Sequence, residues 1–133
     1  KTFQALRIFV NKEITELITG IISAARVLKP GGKLLVLSFH SIEDKIVKYY
    51  FRNFSLNKSK PSRYLPNIDL NSAELFKEYR NQVIRPSKKE LNQNPPSRSA
   101  KLRFAIRSSN EFIYPSDLTK KFHKYIELEN ANI

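Results

Sequence analysis

The stretch that most constrains this chain runs from Leu28 to Phe54. Leu28-Lys29-Pro30-Gly31-Gly32 stops one periodic segment, Leu34 to Leu37 form an unbroken apolar run, and Phe39-His40-Ser41 then hands over to a charged, periodic segment. An apolar run bounded by glycines and a polar end predicts a strand buried on both faces, as in a parallel sheet covered by helices. Upstream, apolar residues at 14, 17, 18, 21, 22, 25 and 28 fall at helical spacing, with Lys12, Glu13, Glu16, Ser23 and Arg26 on the other face. Gly20 inside that helix predicts close packing or a slight bend. Downstream, Ser41-Ile42-Glu43-Asp44 has the form of a capping box ahead of Ile46, Val47, Tyr50, Phe51 and Phe54 on one helical face. Residues 13–54 therefore read helix–turn–strand–helix, the heart of a doubly wound α/β fold.

Around this unit the pattern is looser. In "TFQALRIFVN" (2–11), Phe3, Leu6 and Val10 are spaced as a helix. "EYRNQVIRP" (78–86) predicts a short strand stopped by Pro86, and "SKKELNQN" a helical turn. Residues 100–109 alternate Leu102, Phe104 and Ile106 against Lys101, Arg103, Ala105 and Arg107, the period of a half-buried strand antiparallel to its predecessor. "YPSDLTKKFHKYIEL" (114–128) predicts a last helix opening at Pro115 or Ser116, with Leu118, Phe122 and Tyr125 on one side. The expected organisation is a core piece at 1–54, a flexible loop at 55–77 rich in Ser, Asn, Lys and Pro, a terminal strand pair at 78–110, and a C-terminal helix and tail at 111–133.

Composition narrows the function. The 133 residues suffice for one modest domain. They begin at Lys1 and hold no methionine, so the expectation is a processed product or a piece of something longer. The absence of cysteine excludes disulfides, thiolate metal sites and Cys nucleophiles, and fits a cytoplasmic protein. No window approaches the roughly 18 apolar residues of a membrane span, and no membrane association is expected. The net charge of +12 is uneven: residues 51–110 hold 13 basic and 4 acidic side chains, together with Tyr64, Phe76, Tyr79 and Phe104. A basic block interleaved with aromatics is where a phosphate backbone would be met, although it also suits a plainly solvated surface.

In an open parallel sheet, ligands sit beyond the carboxyl ends of the strands. Ser38-Phe39-His40-Ser41 holds that position and offers an aromatic face, an imidazole, two hydroxyls and the free N–H groups of a helix start. Helix capping alone accounts for Ser41 and Asp44, whereas His40 is either a site residue or a satisfied structural histidine. There is no glycine-rich dinucleotide motif, no P-loop and no metal-ligand spacing. A Ser41/His40/Asp44 triad fails because adjacent side chains diverge at a strand end.

"TFQALRIFVNKE" (2–13), "LKPGGKLLVLSFHSIEDKIVKYYFR" (28–52) and "NPPSRSAKLR" (94–103), in this order, resemble the carboxy-terminal part of the RsmH/MraW family of S-adenosylmethionine-dependent 16S rRNA (cytosine-N4)-methyltransferases. The resemblance implies the C-terminal portion of a class I, Rossmann-like methyltransferase sheet. In it, 33–40 would be the fifth strand, and 79–85 and 101–107 the terminal antiparallel pair. It also implies that S-adenosyl-L-methionine is bound mainly by residues upstream of Lys1, so that this piece alone is inactive. The partner would be 16S rRNA in the small ribosomal subunit.

Phe39, His40, Ser41 and Glu43 are then the pocket-lining candidates, and Arg98, Ser99, Lys101 and Arg103 the RNA-facing ones, unless those charges mark only the wet face of the last strand. "NPPS" (94–97) is not the amine-holding motif of amino-methyltransferases: its fourth residue is Ser97, and no apolar strand leads into it. Pro96 also stands where the family usually has Arg. The alternative expectation is a basic RNA- or ribosome-binding module without catalysis. In either case the strand edge left open by the missing half invites self-association.

Overall fold

The computed structural model describes residues 2–56 and 74–131. Helices α1 (Thr2–Asn11) and α2 (Glu13–Val27) are followed by strand β1 (Lys33–Ser38) and helix α3 (Ser41–Asn53). Then come α4 (Lys88–Gln93), a 3-10 helix (Pro95–Ser99), strand β2 (Lys101–Ile106), and the short helices α5 (Ser116–Lys121) and α6 (His123–Asn130).

Lys12, in the left-handed region at φ 52°, breaks α1 from α2. The stripe read from the sequence is the face α2 buries: Ile14, Ile18, Ile21, Ile22 and Ala25. Pro30 and Gly31 then reverse the chain, and Gly31 adopts φ 85°, where a Cβ would be strained. The Gly31 N–H donates to the Arg107 carbonyl and the Arg107 N–H to the Gly32 carbonyl, which stitches this turn to the end of β2. From α3, Tyr50 and Phe51 meet Phe76 edge to face at 5.1 and 5.2 Å. Leu75, Phe76 and Leu118 are fully buried with them. Each such side chain contributes about 1.5–3 kcal/mol by burial.

The last strand is antiparallel as expected, and it pairs on both of its edges. β1 lies antiparallel to β2, with Leu35 opposite Phe104 and Leu37 opposite Leu102. On the other edge of β2, Ile84 and Leu102 exchange two backbone bonds of 2.9 Å in a single bridge. The expected strand at 79–85 is reduced to that bridge, because Asn81 at φ 58° leaves extended geometry and Pro86 follows. Around Gly20 an added Cβ would meet nothing within 4 Å, so that glycine marks no close approach. The expected last helix is two, α5 and α6, broken at the buried Phe122. Most of the expected 55–77 loop lies outside the described residues. Its described ends are ordered structure: Ser55 bridges Phe76, and Leu75 and Phe76 are core.

The largest departure concerns the faces of the sheet. Residues directly opposite in an antiparallel pair share a face. One face, covered by α3, carries Leu34, Val36 and Ser38 with Arg103 and Ala105. The other carries Leu35 and Leu37, each 56% exposed, opposite half-buried Phe104 and Leu102. β1 is thus not buried on both faces by the described residues, and no described strand pairs with its second edge. In β2 the arginine side is the inner one.

Candidate functional site

β1 ends at Ser38, whose side chain turns to the covered face and is buried. Phe39 leaves the sheet with nearly half of its surface exposed. His40, at φ −125° and ψ 146°, is the N-cap of α3, and its carbonyl accepts the Asp44 N–H. This corrects the capping box: the cap is His40 rather than Ser41, and no side chain closes it. Asp44 is unavailable for such a role because its carboxylate is taken by Arg103. Ser41 stays exposed and lines neither of the cavities described below.

Helix α1 supplies the other wall. Gln4, Arg7 and Asn11 recur at helical spacing, and the next turn brings Glu13 at the start of α2. Arg7 Nε donates to Glu13 Oε1 at 3.0 Å, and Arg7 Nη2 reaches His40 Nε2 at 2.7 Å. The Gln4 amide contacts His40 Nδ1. These contacts fix the imidazole. A guanidinium can only donate, so Nε2 carries a lone pair and Nδ1 carries the hydrogen. The structure places the Gln4 amide nitrogen against Nδ1, so we assign the amide the other way round, with its oxygen toward Nδ1.

Glu43, one turn into α3, holds Oε1 3.9 Å from His40 Nε2. One ligand atom each from Glu13, His40 and Glu43 lies within 4.8 Å of the others. The sequence offered no metal-ligand spacing, yet the fold assembles a cluster of three donor side chains from two helix starts and a cap.

Two open cavities meet here. One of about 750 Å³ is lined by Arg7, Asn11, Glu13, Phe39, His40 and Glu43, among others. The second, of about 450 Å³, shares Arg7, Phe39 and His40 and adds Phe3, Gln4, Pro96 and Ser99. Of the sequence candidates, the structure therefore gathers Phe39, His40, Glu43 and Ser99. It also adds Gln4, Arg7 and Glu13, which the sequence reading did not single out. Their signal was present in the block "TFQALRIFVNKE", as polar residues on one helical face.

The RNA-facing set divides. Arg98 is exposed on the 3-10 helix beside Ser99. Lys101 is half-buried, 3.8 Å from Asp44. Arg103 is withdrawn from the set: it is 5% exposed, grips Asp44 with two bonds of 2.6 and 3.0 Å, and also donates to the Tyr79 hydroxyl at 2.8 Å. Burial pushes the Asp44 carboxyl up, but the Arg103 bond and charge, with Lys101 and Lys48, more than offset this and hold it below the usual carboxylate range. Arg103 is held protonated chiefly by its bond to Asp44. A guanidinium with all its neighbours satisfied inside the domain has no reason to meet a phosphate.

Among the described residues, no glycine-rich turn has backbone N–H groups free to cradle S-adenosylmethionine. The chain has three glycines. Gly20 sits in α2, and the N–H groups of Gly31 and Gly32 already donate to Arg107 and Lys29. Among the described residues, no helix is long and apolar enough to cross a membrane.

Known proteins resemble this chain over most of its length. It is 49% identical over 114 residues to a ribosomal RNA small subunit methyltransferase H of Bartonella henselae, covering 86% of this chain and 32% of the relative. The protein of that name from Bartonella quintana is 51% identical over 111 residues, 84% of this chain and 33% of the relative. The one from Hyphomonas neptunium is 45% identical over 108 residues, 81% and 32%. The chain thus spans about a third of the length of the relatives it matches. Residues 1–108 match the MraW methylase family model, so α1 through β2 with the cleft at Phe39-His40 lie within the match, and this chain belongs to the MraW methylase family.

Proposed function

We propose that these residues are part of an enzyme that moves a methyl group from S-adenosylmethionine to the N4 amine of a cytidine in small-subunit rRNA. The observation that carries this reading is the placement of Phe39 and His40 beyond the carboxyl end of β1, lining an open cleft. S-adenosylmethionine would supply the methyl group, held by parts of the parent enzyme that this chain does not contain; alone, this chain is inactive. Membership of the family and the name shared by the relatives support the reading.

The chemistry of the acceptor sets the demands on the cleft. The lone pair of a cytosine amine is delocalised into its ring, so the base must be taken out of its stack and held with the amine aligned. Phe39 offers the exposed aromatic face on which a base can stack. His40, fixed by Gln4 and Arg7, forms the polar wall, and Glu43 is an acceptor for the proton the amine loses. Ser99 and Pro96 line the cleft, and exposed Arg98 lies beside them on the 3-10 helix; Arg98 and Ser99 are the residues we propose for contact with the RNA backbone.

The test is His40→Ala in the intact enzyme that carries this sequence, with folding checked by circular dichroism. Methylated cytidine in small-subunit rRNA should fall by about 10²-fold or more, the usual worth of a positioned polar group. Undiminished methylation would remove His40 from the site.

A second reading keeps the RNA and drops the catalysis. The basic block at 51–110 favours a ribosome-binding module if this chain acts alone. Titration with S-adenosylmethionine and RNA binding over a salt series separate the two readings. Among the described residues the second edge of β1 is unpaired, which makes self-association part of either reading.

A further inference from the structure

We propose that Glu13, His40 and Glu43 form a binding site for a divalent transition-metal cation of the manganese class, with the Arg7 guanidinium holding the ion's place when no metal is bound. The proposal concerns the same cleft as the methyl-transfer reading but does not depend on methyl transfer.

Four observations carry it. The donor set is one imidazole and two carboxylates, the mixed nitrogen and oxygen set that suits Mn²⁺, Fe²⁺ or Zn²⁺. Its ligand atoms lie within 4.8 Å of one another, and Nε2 of His40 is 3.9 Å from Oε1 of Glu43. Bonds of about 2.1 Å need those atoms no more than about 4.2 Å apart, a closure within reach of side-chain rotation alone. The donors are also preorganised: their side chains are 25%, 17% and 18% exposed, and they stand on the α2 start, the α3 cap and the first α3 turn.

The third observation is the tautomer of His40. A metal-binding imidazole usually gives its other N–H to an oxygen that fixes ring and tautomer. With its amide oxygen assigned to Nδ1, Gln4, outside the ligand set, does this, and it leaves the Nε2 lone pair, now taken by Arg7 Nη2, 3.9 Å from Glu43 Oε1.

The fourth is Arg7. It already brings positive charge to this spot, touching His40 Nε2 at 2.7 Å and Glu13 at 3.0 Å. Its side chain is 54% exposed, so it can swing into solvent as an ion enters, and a half-exposed ion pair is a weak hold. The ion's remaining coordination positions would face the 750 Å³ cleft, open to water or to a phosphate oxygen of a bound RNA. Glu43, ligating through one oxygen, keeps its second as an acceptor.

The experiment is a titration of the intact enzyme that carries this sequence with Mn²⁺ alone, reading free Mn²⁺ by its electron paramagnetic resonance signal, without S-adenosylmethionine or RNA. One Mn²⁺ should bind per chain at sub-millimolar concentration. The Glu13→Gln/Glu43→Gln double variant should lose the site. Gln4→Leu should weaken it about tenfold, the lower end of the effect of losing a ligand's orienting partner. Arg7→Ala should bind several-fold more tightly, a gain that a misfolded variant cannot give. No depletion of free Mn²⁺, unchanged affinity in the double variant, or weaker binding in Arg7→Ala would each overturn the proposal. Because the assay contains neither methyl donor nor RNA, its failure leaves the methyl-transfer reading standing, and the loss of that reading leaves this one.

Discussion

The two faces of the β1–β2 sheet differ more than their sequences do. The covered face holds Val36 beside Arg103, and it is closed by polar ties drawn from far along the chain. Arg103 spans 59 residues to Asp44, Arg107 reaches the Ala25 carbonyl at 3.1 Å, and Glu129 accepts the N–H groups of Ile14 and Thr15 at 3.1 and 3.0 Å. The opposite face holds Leu35 and Leu37 with Phe104 across from them, is the more apolar of the two, and is the one left open. Hydrophobicity says that a surface should be covered, not by what. The relatives that this chain matches are about three times as long as it is. The arginines, by contrast, are already enclosed by partners in this chain.

The sharpest way to break this contrast is to remove one end of the inner ion pair. Asp44→Ala leaves Arg103 buried and uncompensated, so stability should fall by about 3–5 kcal/mol in urea denaturation. A loss below about 1 kcal/mol would mean that Arg103 reaches water and that the covered face is not closed. The same pair sets a pH dependence. The folded-state pKa of Asp44 is depressed, so its contribution is present above the unfolded value of about 3.9 and is lost as pH falls through the folded value. The acid limb of the stability curve should therefore flatten in Asp44→Asn.

Next in size is the tie from the tail. Glu129 is buried and acts as a distant cap on the first turn of α2. Glu129→Ala should cost about 1–2 kcal/mol, as losing a helix N-cap does. The smallest effect is expected on the open face, where Leu35→Lys should change the stability of this chain by no more than about 0.5 kcal/mol. It should at the same time reduce self-association, measured by sedimentation. A destabilisation above about 2 kcal/mol would show that Leu35 is covered after all.

Much of the architecture was legible from spacing. The α2 stripe, the turn at Pro30-Gly31, the apolar strand and the periodic α3 all follow from local pattern and turn chemistry. The strand at 101–106 was legible as well, but its orientation was not. A period of two shows that two faces differ, and the usual inference puts charge outward. Arg103 reverses that inference because Asp44, Tyr79 and Asn81 converge on it from distant segments. The site was half legible. Phe39, His40 and Glu43 lie together in the sequence at a strand end, whereas Gln4, Arg7 and Glu13 reach them only because α1 and α2 lie across the start of α3.

What the sequence determined by itself is the set of local elements, the family, and the place of Phe39-His40 at a strand terminus, because periodicity and turn chemistry act over a few residues. What only the tertiary structure decided is which side of β2 is inside, that His40 is held between Gln4 and Arg7, and that two carboxylates and an imidazole share one small volume. Those outcomes depend on pairings across about 30 to 60 residues, where the satisfaction of buried charge outweighs the preference of any single side chain.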